Sequence, residues 1–455
     1  MFSSGGPARP PRLGQTAPVT EDLLTLADRL FTGEADIAEH HPFRAAGAFA
    51  EVADGVGFVA AFANAAAFGT AEGLVMVDTS SSFHAPVVHE RIRAWRPDDP
   101  LHTAVFTHGH VDHCFGVERY EADAEARGWP PPRVVAHEAI TARFDRYRRT
   151  AGYNGLINQR QFGLPRPWWP TEFRHPDRTY RDRLVLEVGG ERVECHHARG
   201  ETDDHTWVWV PGRRVLCTGD LIIWASPNCG NPQKVQRYPD EWAAALRQMA
   251  ALEPEVLLPG HGLPVVGAER VRTVLLDTAT LLEHLVTETL ARMNAGARLD
   301  EIVHGVQAPA ELLERPWLRP IYDEPEFVVR NLWRLFGGWW DGDPAHLKPA
   351  PAAALAAELA ELAGGARRLA DRAAELAAAG DLRLAGHLAE LAAQAAPADA
   401  GVQRVRAEVF AARAGAERST MAIGVFRWAA DEAARAAGPG AEEAARAAAD
   451  LGEGT

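Results

Sequence analysis

Short apolar runs rich in β-branched residues alternate with amphipathic segments between residues 49 and 258. The apolar runs predict strands, whereas apolar residues recurring three and four positions apart predict helices. Strands are predicted at 49–64 (with breaks), 74–77, 103–107, 133–136, 192–196, 206–210, 214–218 and 256–258, and helices at 21–31, 83–95, 138–149 and 240–252. Because strand pairs and helices recur in two halves, this region predicts a layered α/β fold built as a two-sheet sandwich.

Two other regions have different patterns. Residues 151–170 are aromatic, rich in amide side chains and interrupted by prolines, which predicts a loop that covers a site. After residue 262 the chain is almost wholly helical, with a long helix at 271–294 and alanine-rich hairpins at 352–437. We therefore expect four segments: a disordered N-terminus at 1–19, an α/β domain at 20–300, a helical domain at 301–437 and a mobile tail at 438–455.

A dense group of potential metal ligands follows the predicted strand at 103–107. The stretch THGHVDHCFG contains His108, His110, Asp112 and His113 within six residues. At an extended strand end, the first two histidines face the same side, and the other two residues enter the next turn and point at a neighbouring spot. Imidazole and carboxylate groups placed in this way can hold two divalent metal ions a few ångströms apart.

Three further potential ligands also come after predicted strands. Glu201 lies in HARGET, Asp220 in VLCTGD and His261 in LLPGHG. Because the rim of a sheet collects the residues that follow its strands, we expect all three near the histidine-rich stretch. The carboxylate of Asp220 could bridge two cations. Rival ligands in the same part of the chain are His196, His197 and His205.

The motifs HxHxDH, GET, TGD and PGHG, in this order, resemble those of the metallo-β-lactamase superfamily. The resemblance implies an αβ/βα sandwich with a binuclear site that usually holds zinc. By position, one metal ion would be held by His108, His110 and Glu201, and the other by Asp112, His113 and His261, with Asp220 as the bridge. The resemblance also implies catalytic roles for Asp112 and Asp220. We expect two zinc ions, with manganese or iron as alternatives because carboxylates accept harder metals.

Two features resemble the alkylsulfatases within that superfamily. Glutamate stands at position 201, where most members have histidine, and the segment WWDGDPAHL leads into helices like those of the alkylsulfatase dimerisation domain. The resemblance implies a homodimer that hydrolyses small anionic sulfate esters with a metal-activated water. The candidates for substrate binding are Asn228, Lys234 (or Arg237), Tyr153, Asn158 and Arg160.

Two alternative functions stay open at this point. The bridging position carries Asp220, as in the wider superfamily, where alkylsulfatases usually have glutamate. This difference leaves a lactone, a thioester or a phosphodiester as a possible substrate. A non-catalytic interaction protein is the other alternative, although all seven ligand positions carry residues that can bind metal.

Composition limits the partners and the compartment. The net charge of −15 at pH 7 offers no nucleic-acid surface, so an anionic substrate needs a local basic pocket. No run reaches the ~18 apolar residues of a membrane span, and the N-terminus has no apolar core of signal-peptide length. The four cysteines lack CxxC spacing, and we expect them to be buried thiols. The sequence therefore predicts a cytoplasmic protein.

Overall fold

The computed structural model describes residues 22–44 and 47–438. The segments predicted to be disordered or mobile, 1–19 and all but the first residue of 438–455, lie outside the described residues. The division of the chain near residue 300 stays a prediction.

Thirteen strands in the described part of the chain form two mixed sheets. The first sheet runs in chain order: β1 (Ala48–Ala53), β2 (Val56–Ala60), β3 (Ala65–Thr70), β4 (Gly73–Val77), β5 (Leu101–Val105), β6 (Arg133–His137) and β7 (Arg178–Tyr180). The second runs in reverse order from β13 to β8: β8 (Arg183–Val188), β9 (Glu191–His197), β10 (Thr206–Val210), β11 (Val215–Gly219), β12 (Val256–Pro259) and β13 (Val265–Val266). β4 to β7 are parallel, as are β11 and β12, so the residues that follow β4 and β5 share one edge of the first sheet and those that follow β11 and β12 share one edge of the second.

Sixteen helices complete the described chain. They are α1 (Leu23–Thr32), α2 (Ala85–Trp95), α3 (Val117–Arg127), α4 (Ile140–Arg149), α5 (Ala151–Phe162), α6 (Pro239–Ala250), α7 (Ala268–Asn294), α8 (Leu299–Gly305), α9 (Ala310–Leu313), α10 (Pro325–Gly337), α11 (Pro344–Leu347), α12 (Ala352–Ala363), α13 (Ala366–Ala378), α14 (Leu382–Ala395), α15 (Ala400–Ala416) and α16 (Thr420–Ala437). None of these helices is long and apolar enough to cross a lipid bilayer.

Alternating side chains of the first sheet pack into two separate cores. Val75 and Val77 on β4 point toward the second sheet, and join a core that includes Val208 and Leu257. Leu74 and Met76, one residue out of phase, pack with α2, α3 and α4 on the other side. This period-two alternation is what a strand between two apolar layers requires. With α6 and α7 covering the second sheet, the predicted αβ/βα sandwich is confirmed.

The helical hairpins of the C-terminal half are also confirmed. Their cores consist largely of alanine, such as Ala370, Ala373, Ala389 and Ala392, so the helices approach closely. Gly364 ends α12 in the left-handed conformation, at φ 89°, which glycine adopts without a steric penalty.

The prediction that residues 151–170 form a loop is wrong for its first part. Residues 151–162 form helix α5, which packs against α16 and buries Ile157 and Gln161. A Cβ atom at Gly424 on α16 would lie 2.5 Å from the carbonyl oxygen of Gln161, so glycine is needed for this close approach. Because α16 lies far from α5 in the chain, the local sequence pattern of residues 151–162 does not indicate this packing.

Candidate metal centre

The seven predicted ligands converge at one rim of the sandwich. The histidine-rich stretch follows β5, Glu201 follows β9, Asp220 follows β11 and His261 follows β12. Their side chains form two groups whose potential ligand atoms lie within 4.8 Å of one another in each group. One group contains His108, His110, Glu201 and Asp220; the other contains Asp112, His113 and His261.

The first group is centred on Glu201. Its Oε2 atom lies 3.2 Å from Nδ1 of His110 and 3.5 Å from Nε2 of His108. Nε2 of His108 is also 3.6 Å from Oδ2 of Asp220. Burial, together with His113 and His110, lowers the pKa of His108 well below its usual value. His108 is therefore a neutral imidazole, the form that binds metal.

Asp220, a member of the first group, also contacts the second group. Oδ1 of Asp220 is 3.2 Å from Nε2 of His113, and Oδ2 is 3.3 Å from Nε2 of His261. Oδ2 of Asp112 lies 3.6 Å from the same atom of His261. Burial opposes ionisation of Asp220, but His113 and His261 outweigh it and hold its pKa well below the usual value. Asp220 is therefore an ionised carboxylate between the two groups.

The unpaired atoms of these groups fit divalent metal ions. Nε2 of His113, Oε2 of Glu201 and Oδ1 of Asp220 are buried without a hydrogen-bond partner among the described residues. Buried polar atoms normally have partners, because an unsatisfied one costs about 1–3 kcal/mol. Imidazole and carboxylate donors at these separations are the ligands that divalent transition metals take. The cluster thus supports the use of divalent metal.

Atoms behind the second group orient its histidines. Nδ1 of His113 is 2.8 Å from Oδ2 of Asp78, and Nδ1 of His261 is hydrogen-bonded to the carbonyl oxygen of Phe62. Asp78 also accepts hydrogen bonds from the amide and the hydroxyl of Thr107, both at 2.7 Å. Such contacts at one ring nitrogen direct the other nitrogen toward a metal.

Different atoms hold the first group. Oε1 of Glu201 accepts hydrogen bonds from Nδ2 of Asn228 and from Nη2 of Arg237, the latter at 3.2 Å. Burial opposes ionisation of Glu201, but His110 and Arg237 lower its pKa. The amide of Gly109 donates to Asp204, which is paired with the buried Arg143.

The rival histidines have other contacts. Nε2 of His205 donates to the carbonyl oxygen of Thr218 at 2.9 Å, and its ring stacks on His108 with centroids 4.9 Å apart. The ring of His196 stacks on Trp207, and that of His197 on His137. These three histidines are not members of either ligand group.

Five of the seven residues line a cavity of about 600 Å³: His110, Asp112, Glu201, Asp220 and His261. Aromatic and aliphatic side chains make up much of its wall: Phe43, Phe62, Phe83, Val87, Phe162, Leu164, Trp168, Trp169, Ile223 and Tyr322. The cationic residues Arg44, Lys234 and Arg237 line it too, which provides local positive charge in an acidic chain. Burial and Arg237 lower the pKa of Lys234 to about 8.

The structure separates the predicted substrate-binding residues. Asn228, Lys234 and Asn158 line the cavity, whereas Tyr153 and Arg160 do not. Helix α5 turns one face toward the cavity, with Asn158, Gln161 and Phe162 at helical spacing. Tyr153 is 60% exposed, and Arg160 hydrogen-bonds Gln233 and lies over Trp428. A prediction of a loop at 151–170 could not distinguish the residues that face the cavity from those that face away, because that distinction follows from the helix.

Sequence reasoning missed three contributors to the site. Asp78 follows β4 just as the predicted ligands follow their strands, and this position was the signal that could have identified it. The second is the hydrogen bond between Arg237 and Glu201. The third is Tyr322, which reaches the cavity from the C-terminal half, where no local motif marks it.

The comparisons with known proteins agree with this geometry. Residues 60–261 match the metallo-β-lactamase superfamily, and residues 298–436 match the alkyl sulfatase dimerisation family. The region 60–261 is therefore similar to the metallo-β-lactamase superfamily, and the region 298–436 to the alkyl sulfatase dimerisation family.

Two curated relatives and one solved structure refine the likeness. A linear primary-alkylsulfatase of a Pseudomonas species is 29% identical over 69% of this chain and 62% of its own length. An (R)-specific secondary-alkylsulfatase of a Pseudomonas species is 28% identical over 74% of this chain and 54% of its own length. The structure of a stereoselective inverting sec-alkylsulfatase from a Pseudomonas species has a TM-score of 0.77 at 24% identity, covering 87% of this chain and 66% of that one. The chain thus spans between half and two thirds of the length of these proteins.

Proposed function

We propose that this protein is a metal-dependent hydrolase of sulfate esters, similar to the alkylsulfatases. The observation that carries the proposal is the convergence of seven motif residues beside a cavity that is lined by five of them and by apolar and cationic side chains. The relatives named as alkylsulfatases support it. The substrate we infer is a small anionic ester with an apolar alcohol part, since the wall offers aromatic contacts to the latter.

In this proposal the seven residues hold two zinc ions, with manganese or iron as alternatives. His108, His110 and Glu201 hold one, Asp112, His113 and His261 hold the other, and Asp220 lies between them. The three carboxylates leave the pair of divalent ions with a net charge near +1. Bound metal ions would supply a Lewis acid and lower the pKa of a water molecule for attack on the ester.

The residues of the chain have distinct roles in the proposed reaction. Asp112 and Asp220 line the cavity and position the reacting groups. The ammonium group of Lys234 binds the sulfate, and Nδ2 of Asn228 has a second hydrogen available after the bond to Glu201. Because Asn228 also holds Glu201, its removal would disturb the metal centre, and Lys234 is the cleaner probe of sulfate binding.

The decisive experiment is a screen of ester classes with one zinc-loaded preparation. We expect release of inorganic sulfate from primary, secondary or aryl sulfate esters, and loss of this release in His110→Ala at unchanged folding. Turnover of a lactone, a thioester or a phosphodiester alone would keep the metal centre and replace the substrate. Equal behaviour of the variant and the parent, with no turnover of any ester, would point to a non-catalytic protein.

We also propose a homodimer formed through the helical half and a cytoplasmic location. The match to the dimerisation family supports the dimer, and sedimentation velocity at several protein concentrations tests it. Cys114, Cys195, Cys217 and Cys229 are free and buried thiols, which supports a reducing compartment.

A further inference from the structure

We propose that Asn331, on α10 in the C-terminal half, is a positioning residue for the metal centre and acts through Arg237 on Glu201. The inference rests on the proposed function, because it assigns Glu201 to a metal ion. It implies that the helical half completes the site from within the same chain, in addition to any part in dimer formation.

The first step runs from Arg237 to Glu201. Arg237 is 2% exposed, and its guanidinium donates to Oε1 of Glu201 at 3.2 Å and to the carbonyl oxygen of Asn228 at 2.7 Å. Asn228 in turn donates to the same Oε1 atom. Both donors therefore occupy one oxygen of Glu201 and leave Oε2 directed at His110. Arg237 thus selects the oxygen that is available to a metal.

The second step runs from Asn331 to Arg237. Nδ2 of Asn331 donates to the carbonyl oxygen of Arg237 at 3.1 Å, and Oδ1 of Asn331 accepts from the amide of Arg237 at 3.4 Å. Oδ1 also accepts from Gln236 at 2.9 Å and from Arg334 at 3.2 Å. One side chain thus holds the main chain of Arg237 on both sides. Residues 231–238, in which Arg237 lies, contain no helix or strand to fix them otherwise.

A buried asparagine inside a helix lowers stability unless its amide is hydrogen-bonded. Asparagine is a poor helix former, and its amide must be satisfied where it is buried. Asn331 lies in the interior of α10 and is 5% exposed, on the same buried face as the apolar residues Val328 and Leu332. The two hydrogen bonds to Arg237, together with those from Gln236 and Arg334, satisfy the amide.

The test uses three full-length variants. Asn331→Ala removes both contacts to Arg237, and Asn331→Asp keeps the shape and the acceptor but loses the donor. Val329→Ala is the matched control, because it shortens an equally buried side chain of α10. Zinc affinity is measured by competition with a chromophoric chelator, and kcat and KM with an alkyl sulfate. Folded fraction is measured by circular dichroism.

We expect Asn331→Ala to weaken the binding of one zinc ion about tenfold and to lower kcat to a similar extent, with KM within about twofold of the parent. Asn331→Asp should show a smaller loss in the same direction, and Val329→Ala none. If Asn331→Ala does not fold, the isosteric Asn331→Asp carries the test. The inference is overturned if the folded Asn331 variants bind both zinc ions and turn over substrate as Val329→Ala does. A parent protein that releases no sulfate with zinc, manganese or iron would instead overturn the proposed function.

Discussion

The two halves of the candidate metal centre are alike in their ligands but differ in what supports them. In the group of Asp112, His113 and His261, the supporting atoms belong to Asp78 and to the carbonyl of Phe62, both in the sandwich. In the group of His108, His110 and Glu201, the Glu201 carboxylate is held by Arg237, whose main chain is bonded to Asn331 in the C-terminal half, whereas Nδ1 of His108 lies 2.9 Å from the hydroxyl of Thr107 in the sandwich.

The two supporting residues, Asp78 and Arg237, are themselves held in place in different ways. Asp78 follows β4, next to β5, so its contact with His113 is fixed by the hydrogen bonds of the sheet. Arg237 lies in a segment without regular structure, where its main chain is held by the side chain of Asn331 and by the neighbouring hydrogen bond from the amide of Tyr238 to the carbonyl of Gly200. We therefore expect substitution of Asp78 to weaken metal binding mainly by the group that contains His113, and substitution of Asn331 to weaken it by the group that contains Glu201.

Asp78→Asn should have the largest effect among the supporting residues. The asparagine fits the left-handed backbone at this position, φ 59°. If its single oxygen keeps the hydrogen bond from the amide of Thr107, the NH2 group, a donor, faces His113 Nδ1 in place of the acceptor Oδ2. If the amide donates to Nδ1, the ring proton moves to Nε2, and that nitrogen can no longer bind metal. We expect zinc stoichiometry to fall from two toward one and kcat to fall about 10- to 100-fold.

A matched control exists for this change. Asp123→Asn also removes a carboxylate 2.8 Å from a histidine nitrogen, that of His89, outside the metal centre. Its zinc content, measured by atomic emission, and its kcat should equal those of the parent. Two tightly bound zinc ions in Asp78→Asn would contradict the assigned role of Asp78.

A smaller effect is expected at Lys234, which belongs to the cavity wall and to neither ligand group. Its pKa of about 8 means that the ammonium is charged below that pH and neutral above it. KM for a sulfate ester should therefore rise about tenfold between pH 7 and pH 9.5, since a hydrogen bond to a charged group is lost. In Lys234→Arg the charge persists and KM should stay level over this range. A parallel rise in both proteins would assign the pH dependence to another group.

The sequence revealed the ligands and missed their supports for a physical reason. The ligands follow strands, and paired strands end together, so a local pattern was enough to predict that Asp220 and His261 approach the histidine-rich stretch. The contact between Arg237 and Asn331 joins residues 94 positions apart, and no periodicity records it. The same holds for α5, whose helix depends on α16. The metal-binding roles themselves stay predictions until the bound metal is measured.

The smallest effect is expected at a contact within the helical half that does not reach Arg237. Ser419 caps α16 and donates to the carbonyl oxygen of Tyr322 at 2.7 Å. Ser419→Ala loses the cap and leaves that carbonyl without this donor, so the free energy of unfolding should fall by about 1–2 kcal/mol in urea titrations. Zinc affinity should not change, because Glu201 keeps its contacts. If Ser419→Ala weakened zinc binding as much as Asn331→Ala, the C-terminal half would influence the centre through its overall stability, and the specific path through Arg237 would be wrong.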